Sequence, residues 1–432
     1  MEKFLKWSAG LMVLALVLAA CQPSASGSPS EAPESAAPSE AALDPAEVCA
    51  ADEYGCVEIP AGEQLHVAFW GVLSGADASL GVDSQRGVEL AISEIGGTLV
   101  GHEILLTAED GLCTPEGGAT AAQRLAADPT IVGLVGSSCS DETVGGIQAI
   151  TEAGLSTISS SNTRPALTAE DRGPEYAGYL RTAHSDAFQG LAVAEWAVEQ
   201  GYATAATIHD GSAYAQALQQ VFADSFTELG GEIVLQDAIE RGQTDMVPVL
   251  TRVAAEAPDF LYYPIFIAEG GYITSQVRDV PGLEDTVLAG SDGMFSPDFV
   301  TAAGPNAEGM FLSSPDFTAF AAEYADLRAL YEETYGEAPL AVFHAHAFDA
   351  ANMLFEAIED VAMDDADGTT WIPRAGLRER LFATADFAGL TGTLTCSPTG
   401  DCGAPVIGMY EITAEVIGPP VVMPTAPVWP TE

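Results

Sequence analysis

The 432 residues leave room for two or three domains, and 48% apolar content is ample core material. With 63 acidic and 14 basic side chains the net charge is −49, which argues against nucleic acid or an anionic membrane surface as a partner, because both would be repelled. Glycine and proline are frequent but follow no repeat period, so collagen-like and wholly disordered classes are excluded.

Residues 1–20 read as a signal peptide. Lys3 and Lys6 form a basic start, and residues 11–18 form an apolar stretch too short to span a bilayer, which takes about 20 residues. The stretch ends Leu18-Ala19-Ala20-Cys21, which resembles a bacterial lipobox. That implies cleavage before Cys21, acylation of Cys21, and an extracytoplasmic chain that touches the membrane through its lipid anchor only. Export places the other cysteines in an oxidising compartment. Residues 21–63 are expected to be an acylated cysteine and a disordered Ser/Pro/Ala/Glu tether ending in a small disulfide loop. Residues 417–432 are expected to be a loose Pro-rich tail.

From Leu65 the pattern changes. Residues 67–73 (VAFWGVL) are a continuous apolar run, as in a strand buried on both faces. A helix follows, with Val88, Ala91, Ile92 and Ile95 at i, i+3, i+4, i+7 and Gly96-Gly97 as its stop. Strand 104–108, helix 116–126 and strand 131–135 continue the alternation, which implies a parallel, doubly wound sheet. Helix 143–152 carries Val144, Ile147 and Ile150 on one face, and strand 155–159 comes next. A second βα series begins near Ser185. It comprises helix 186–200, strand 203–208, a helix with Leu218, Val221, Phe222, Ser225 and Leu229 on one face, and strands 233–235, 260–263 and 287–289. Helix 341–359 and a hairpin around 391–412 come last. Two such series suggest two α/β lobes with a cleft between them.

Six cysteines remain after Cys21, and six allow fifteen pairings. Closeness in sequence favours Cys49–Cys56 and Cys396–Cys402, which leaves Cys113–Cys139 to join two neighbouring strand-end loops. No CxxC pair exists and histidine is sparse, so no metal site is expected, and no cofactor. The chain lacks GxxxxGK[ST], HExxH and GxSxG. His344 and His346 stand at i, i+2 in a helix, so one is expected to pack and the other to be exposed. A catalytic role is not expected.

Residues 136–168 are the most informative stretch. Two strands each run into small hydroxyl residues, Ser137, Ser138 and Ser140 in one case and Ser159 to Thr163 in the other. Ligands of open α/β sheets bind outside the carboxyl ends of the strands, and helix N-termini there offer unpaired N–H groups to an anion. The stretch reads as a cradle for a small carboxylate.

The chain resembles the type I periplasmic solute-binding proteins of ABC transporters, in the leucine/isoleucine/valine-binding branch. The resemblance runs from about 65 to 412 and rests on LSGADASLG with RGVELAISEIGG, GLC, SSCS, ISSSNTRPALT, LRTAHSDAFQG, IHDGSAYAQAL, PDFLYY and GSDG. It implies two doubly wound, Rossmann-like lobes joined by a three-segment hinge, with lobe 1 at 64–182 plus 316–386 and lobe 2 at 183–314 plus 388–416. The crossovers would fall near 182–184, 313–315 and 385–390. It implies that Ser140, Thr163 and the main chain of Ser161 and Asn162 bind a ligand carboxylate, that Asp292 receives the ammonium, and that Tyr214 closes over the ligand. The family's disulfide falls on Cys113 and Cys139. Leu80, Phe266 and Ile267 depart from the family's aromatic residues and would reshape the side-chain pocket. The implied ligand is a small amino acid, branched-chain or related, and the implied partner is an ABC permease; the chain is expected to be a monomer. A sensory module reporting an amide, urea or aromatic acid to a separate receptor is the alternative.

Overall fold

The computed structural model describes residues 44–430, so the signal peptide, Cys21 and the tether up to residue 43 lie outside the described residues. Two six-stranded sheets organise the chain. The first runs in the order Thr98–Leu99, His102–Asp110, Leu65–Gly71, Ile131–Gly136, Thr157–Ser159, Tyr179–Arg181, all parallel except the first pair. The second runs Ile407–Glu411, Phe311–Pro315, Val287–Gly290, Phe260–Tyr262, Thr204–His209, Glu232–Ala238, parallel except for its antiparallel edge strand Ile407–Glu411. In both sheets the first strand of the βα series lies between the second and the third. Neighbouring connections therefore leave in opposite directions on either side of it, which creates a crevice at the strand ends.

The apolar runs form these strands because both sheet faces are covered by helices. Leu65–Gly71 is buried along its whole length. Helix Ala78–Glu94 packs on helix His344–Val361 in the first lobe, so closely that a Cβ on Gly87 would stand 2.2 Å from the His344 carbonyl oxygen. Both His344 and His346 are buried, contrary to the one-in, one-out expectation, because the first turns of their helix are enclosed on every side. Val144 is 40% exposed, whereas Ile147 and Ile150 of the same helix point inward.

The chain passes between the sheets three times. The first passage follows Tyr179–Arg181, and the second follows Phe311–Pro315. The third lies between Cys402 and Ile407 rather than near 385–390. The hairpin of Phe387–Gly389 with Gly392–Leu394, and the turn closed by Cys396–Cys402, pack on the core of the first lobe, and only Ile407–Glu411 joins the second sheet. The passages are bonded to one another, Asp316 N to Val406 O at 2.9 Å and Cys402 N to Arg181 O at 3.0 Å.

Two terminal segments are more ordered than composition implied. Residues 44–63 are built into the first lobe: helix Pro45–Ala51 and strand Cys56–Ile59 follow one another, Cys49–Cys56 links them, and the strand pairs antiparallel with Thr370–Pro373. The Pro-rich tail packs on the second lobe. Met409 N donates to Trp429 O at 2.8 Å, Val428 N donates to Met409 O at 2.7 Å, and Trp429 Nε1 donates to Glu199 at 2.7 Å. It covers an open sheet edge, which is otherwise a hazard. Among the described residues no helix is long and apolar enough to cross a membrane.

Candidate functional site

A small cavity lies between the lobes and is lined by Leu80, Ser138, Cys139, Ser140, Ser161, Thr163, Tyr214, Phe266, Asp292, Gly293 and Phe343. Each lining segment follows a strand or opens a helix. Ser138–Ser140 follow Ile131–Gly136, Ser161 and Thr163 follow Thr157–Ser159, Tyr214 follows Thr204–His209, and Asp292 follows Val287–Gly290. Ser140 is also the first residue of helix Ser140–Glu152, whose N-terminal N–H groups carry a partial positive charge.

The polar lining divides by lobe. On the first lobe the hydroxyls of Ser138, Ser140 and Thr163 are buried without a hydrogen-bond partner. On the second, Asp292 Oδ1 accepts from Tyr214 OH at 2.6 Å and from Gly293 N at 2.9 Å, while Oδ2 has no hydrogen-bond partner. His184 Nε2 lies 3.3 Å from Oδ2 but is aligned instead with Gln189 Oε1 at 2.9 Å. Buried polar atoms in native proteins are nearly always paired, so four unpaired ones around one cavity need a cause. Three hydroxyl donors facing one carboxylate oxygen are complementary to a small molecule with an anionic end and a cationic end. Phe266, Leu80, Phe343 and the Cys113–Cys139 disulfide supply the apolar remainder, and the Phe266 and Tyr214 rings lie 5.2 Å apart.

The first-lobe wall is held from behind. Glu142 is fully buried and accepts from the amides of Cys113, Ser138 and Cys139 at 2.9, 3.0 and 3.0 Å. Burial pushes its carboxyl up to about 7 despite those three bonds. It clamps the two loops that the Cys113–Cys139 disulfide also joins, and helices Pro115–Ala127 and Ser140–Glu152 approach so closely that a Cβ on Gly118 would stand 2.4 Å from Glu142 Cα. Asn162 Nδ2 donates to Ser137 O at 3.0 Å, and its Oδ1 accepts from Thr143 Oγ1 at 2.6 Å. Arg181, with no exposed surface, binds Asp401 through two nitrogens at 3.1 and 2.6 Å and donates to the Asn162 and Arg164 carbonyls. Phe343 is set by Asp83. Burial alone would raise that carboxyl, but His344 and nearby amides hold it below the usual carboxylate range.

Of the nine ligand-contact residues predicted, seven line the cavity: Ser140, Ser161, Thr163, Tyr214, Asp292, Leu80 and Phe266. The Ser161 hydroxyl already donates to Ser138 O at 2.9 Å. The Asn162 side chain is turned away into the scaffold, and Ile267 opens the next helix, its amide donating to Asp77 at 3.3 Å. Ser138 and Phe343 line the cavity but were not singled out from sequence. Ser138 lay in view within the hydroxyl cluster, whereas Phe343 is brought in by Asp83, 260 residues away in sequence. Trp70 is core and does not line the cavity.

Two doubly wound lobes joined by three crossovers, with a polar cavity between their strand ends, define the architecture of a type I periplasmic binding protein. The family model for periplasmic binding proteins matches residues 64–405, and the chain belongs to that family. It is 26% identical over 345 residues to a Leu/Ile/Val-binding protein homolog of Brucella melitensis, covering 78% of this chain and 89% of the relative. Among solved structures it is similar to the branched-chain amino acid transporter substrate binding protein of Streptococcus pneumoniae in complex with isoleucine (TM-score 0.71, 24% identity, 81% of this chain and 96% of that one). It is equally similar in fold to a solute-binding protein from R. palustris in complex with benzoate (TM-score 0.71, 22% identity, 81% and 94%). Solute binding, rather than catalysis, is the role of this family.

Proposed function

We propose that the chain is an extracytoplasmic lipoprotein of an ABC importer that captures a small amino acid, branched-chain or related, between its lobes and delivers it to a membrane permease. One observation carries this reading: three buried hydroxyls without hydrogen-bond partners on one lobe face, on the other, a carboxylate oxygen that accepts no hydrogen bond and has only the His184 ring beside it. In this reading Ser140 and Thr163, with the main chain at Ser161 and Asn162, take the ligand carboxylate, and Asp292 takes the ammonium. Tyr214 holds Asp292 in place and packs over the ligand with Phe266 and Leu80, while Ile267 backs Phe266. A hydrogen bond to a charged group is worth about 1.5–3 kcal/mol, so three or four in a closed cavity suffice for micromolar binding. The names of the relatives point to branched-chain amino acids; the benzoate-bound neighbour shows that the fold alone does not choose the ligand. Acylation at Cys21 would tether the protein, as a monomer, beside its permease.

A thermal-shift screen of the lipid-free protein against amino acids, amides and aromatic acids tests the reading. A ligand at a hundred times its Kd adds about 2.7 kcal/mol of stability, enough to move the melting midpoint measurably. A shift with at least one α-amino acid is expected. A screen in which only amides or aromatic acids shift the midpoint would overturn the amino-acid assignment.

A further inference from the structure

Two helices of the second lobe receive an N-terminal hydrogen-bond acceptor from the first lobe. Helix Ile267–Val277 begins after Phe266, an apolar residue that offers its first turn no side-chain acceptor. The first amides of a helix have no partner within it. The amide of Ile267 donates instead across the cleft, to Asp77 Oδ1 at 3.3 Å. Asp77 stands at the N-cap position of its own helix, Ala78–Glu94, where aspartate is a favoured cap, yet its carboxylate makes no capping bond to that helix. Helix Ala213–Glu228 is capped by Ser212, which accepts from Ala215 N at 3.1 Å and leaves the amide of Ala213 over. That amide donates to Asp141 Oδ1 at 3.0 Å, again in the other lobe. Arg241 of the second lobe lies 3.6 Å from Asp77 and 3.7 Å from Asp141. Each contact joins neighbours of cavity residues. Asp141 follows Ser140, and Ala213 precedes Tyr214; Asp77 shortly precedes Leu80, and Ile267 follows Phe266. The rings of Tyr214 and Phe266, 5.2 Å apart, therefore each stand beside an amide held by a first-lobe carboxylate.

We propose that Asp77 and Asp141 are positioning residues that cap second-lobe helices only when the cleft is shut, and so hold Phe266 and Tyr214 over a bound ligand. Hinged opening moves the lobes apart and takes each carboxylate away from its amide, while bonds within a lobe survive. The stabilisation from two helix caps is thereby withheld from the open form and given to the closed one, where it slows ligand escape. The charge of each carboxylate also meets the positive end of the helix dipole. The apolar residue ahead of Ile267–Val277 fits this arrangement. A Ser or Asp in place of Phe266 would cap the helix in both forms and would take an apolar wall from the cavity. The inference rests on reading the cavity as a ligand site closed between the lobes, and not on which ligand fills it.

Titration calorimetry of the full chain with leucine, isoleucine, valine and benzoate tests this, together with amide hydrogen exchange with and without whichever of the four binds. In wild type, exchange at Ile267 and Ala213 is expected to slow on saturation. Asp77→Ala and Asp141→Ala are each expected to bind about 5- to 30-fold more weakly, through faster dissociation, and to lose the slowing at the amide they capped. Asp77→Asn and Asp141→Asn keep an acceptor oxygen, and asparagine caps about as well as aspartate, so affinity should return to within about threefold of wild type. A role in fold stability alone would lower the ligand-free melting midpoint and leave the exchange response to ligand unchanged. Affinity within about twofold of wild type in both alanine variants, or equal protection of the two amides with and without ligand, overturns the proposal and leaves the solute-binding reading standing. Binding of benzoate alone overturns the amino-acid reading, while the caps are judged by the same measurements. Wild type that binds none of the four overturns both. Should an alanine variant fail to fold, the wild-type exchange decides alone, because saturation without slowing at Ile267 and Ala213 refutes the inference.

Discussion

Arg241 reaches across the cleft, and its removal should weaken ligand binding without unfolding either lobe. It lies in the loop after Glu232–Ala238 of the second lobe and donates to the Cys113 carbonyl of the first. Its other contacts across the cleft are Asp77 at 3.6 Å and Asp141 at 3.7 Å, and within its own lobe it lies 5.3 Å from the centre of the Phe266 ring. Arg241→Ala removes one charge-assisted hydrogen bond worth about 1.5–3 kcal/mol and a cation–π contact worth about 0.5–1 kcal/mol. The two ion pairs add little, because Arg241 is about a quarter exposed and solvent screens them. Only the hydrogen bond to Cys113 crosses the cleft and counts against closure; the Phe266 contact lies within one lobe and persists when the cleft opens. Apparent affinity scales with the population of the binding-competent state, so a loss of about 1.5–3 kcal/mol becomes about 10- to 150-fold weaker binding if the free protein is mostly open, and less if it is mostly closed. Removing the guanidinium also strips Asp77 of its counter-charge. Burial has already pushed that carboxyl up to about 6, with Glu269 and Asp210 adding to the rise. Titration calorimetry with the best ligand from the screen measures the effect, and small-angle scattering with and without ligand reports closure. Binding within twofold of wild type, with the same compaction on ligand addition, would show that Arg241 does not hold the lobes together.

Asp292→Asn should lower affinity for α-amino acids at least tenfold, read by calorimetry; unaltered affinity would place the ammonium elsewhere. Reducing Cys113–Cys139 should weaken binding by loosening the loop that carries Ser140, and equal affinity after mass-spectrometric proof of reduction would refute that. Glu142→Gln keeps the shape of the clamp but replaces one of its two acceptor oxygens with an NH2 group, leaving at least one of the three amides facing a donor, so the melting temperature should fall by several degrees; an unchanged midpoint would argue against the clamp. Stability should rise on mild acidification. Asp77 and Asp349, raised to about 6, and Glu142 and Asp186, raised to about 7, keep protons in the fold that the unfolded chain releases at lower pH, so stability falls as pH rises from about 4 through 7. His184, raised by Asp292, acts in the same direction, while His66, His209 and His346, lowered by burial, oppose it. A melting temperature at about pH 5.5 no higher than at about pH 8 would contradict this balance.

The sheets were legible because parallel strands covered on both faces must be apolar along their length, and Leu65–Gly71 and Ile131–Gly136 carry that pattern openly. The cavity's hydroxyl wall was legible because its two clusters follow such strands. Asp186, Glu142 and Arg181 were not. A buried charge is recognised by its partners, and Arg181 meets Asp401 across 220 residues of sequence. The sequence around Glu142 reads as an ordinary helix start, and only the fold brings Cys113 to it. The terminal segments misled for a related reason: low apolar content predicts disorder only where no sheet edge waits to be paired, and Cys56–Ile59 and Trp429 each meet one. The residues hidden in this way are not incidental to the site. Glu142 and Arg181 fix the wall that donates hydrogen bonds, the Asp186 amide donates to Thr163 O of that same wall, and all three are charged groups without exposed surface. One buried cation, Arg181, already has a bidentate partner, whereas Asp186 has none, and Asp292 has one oxygen still open.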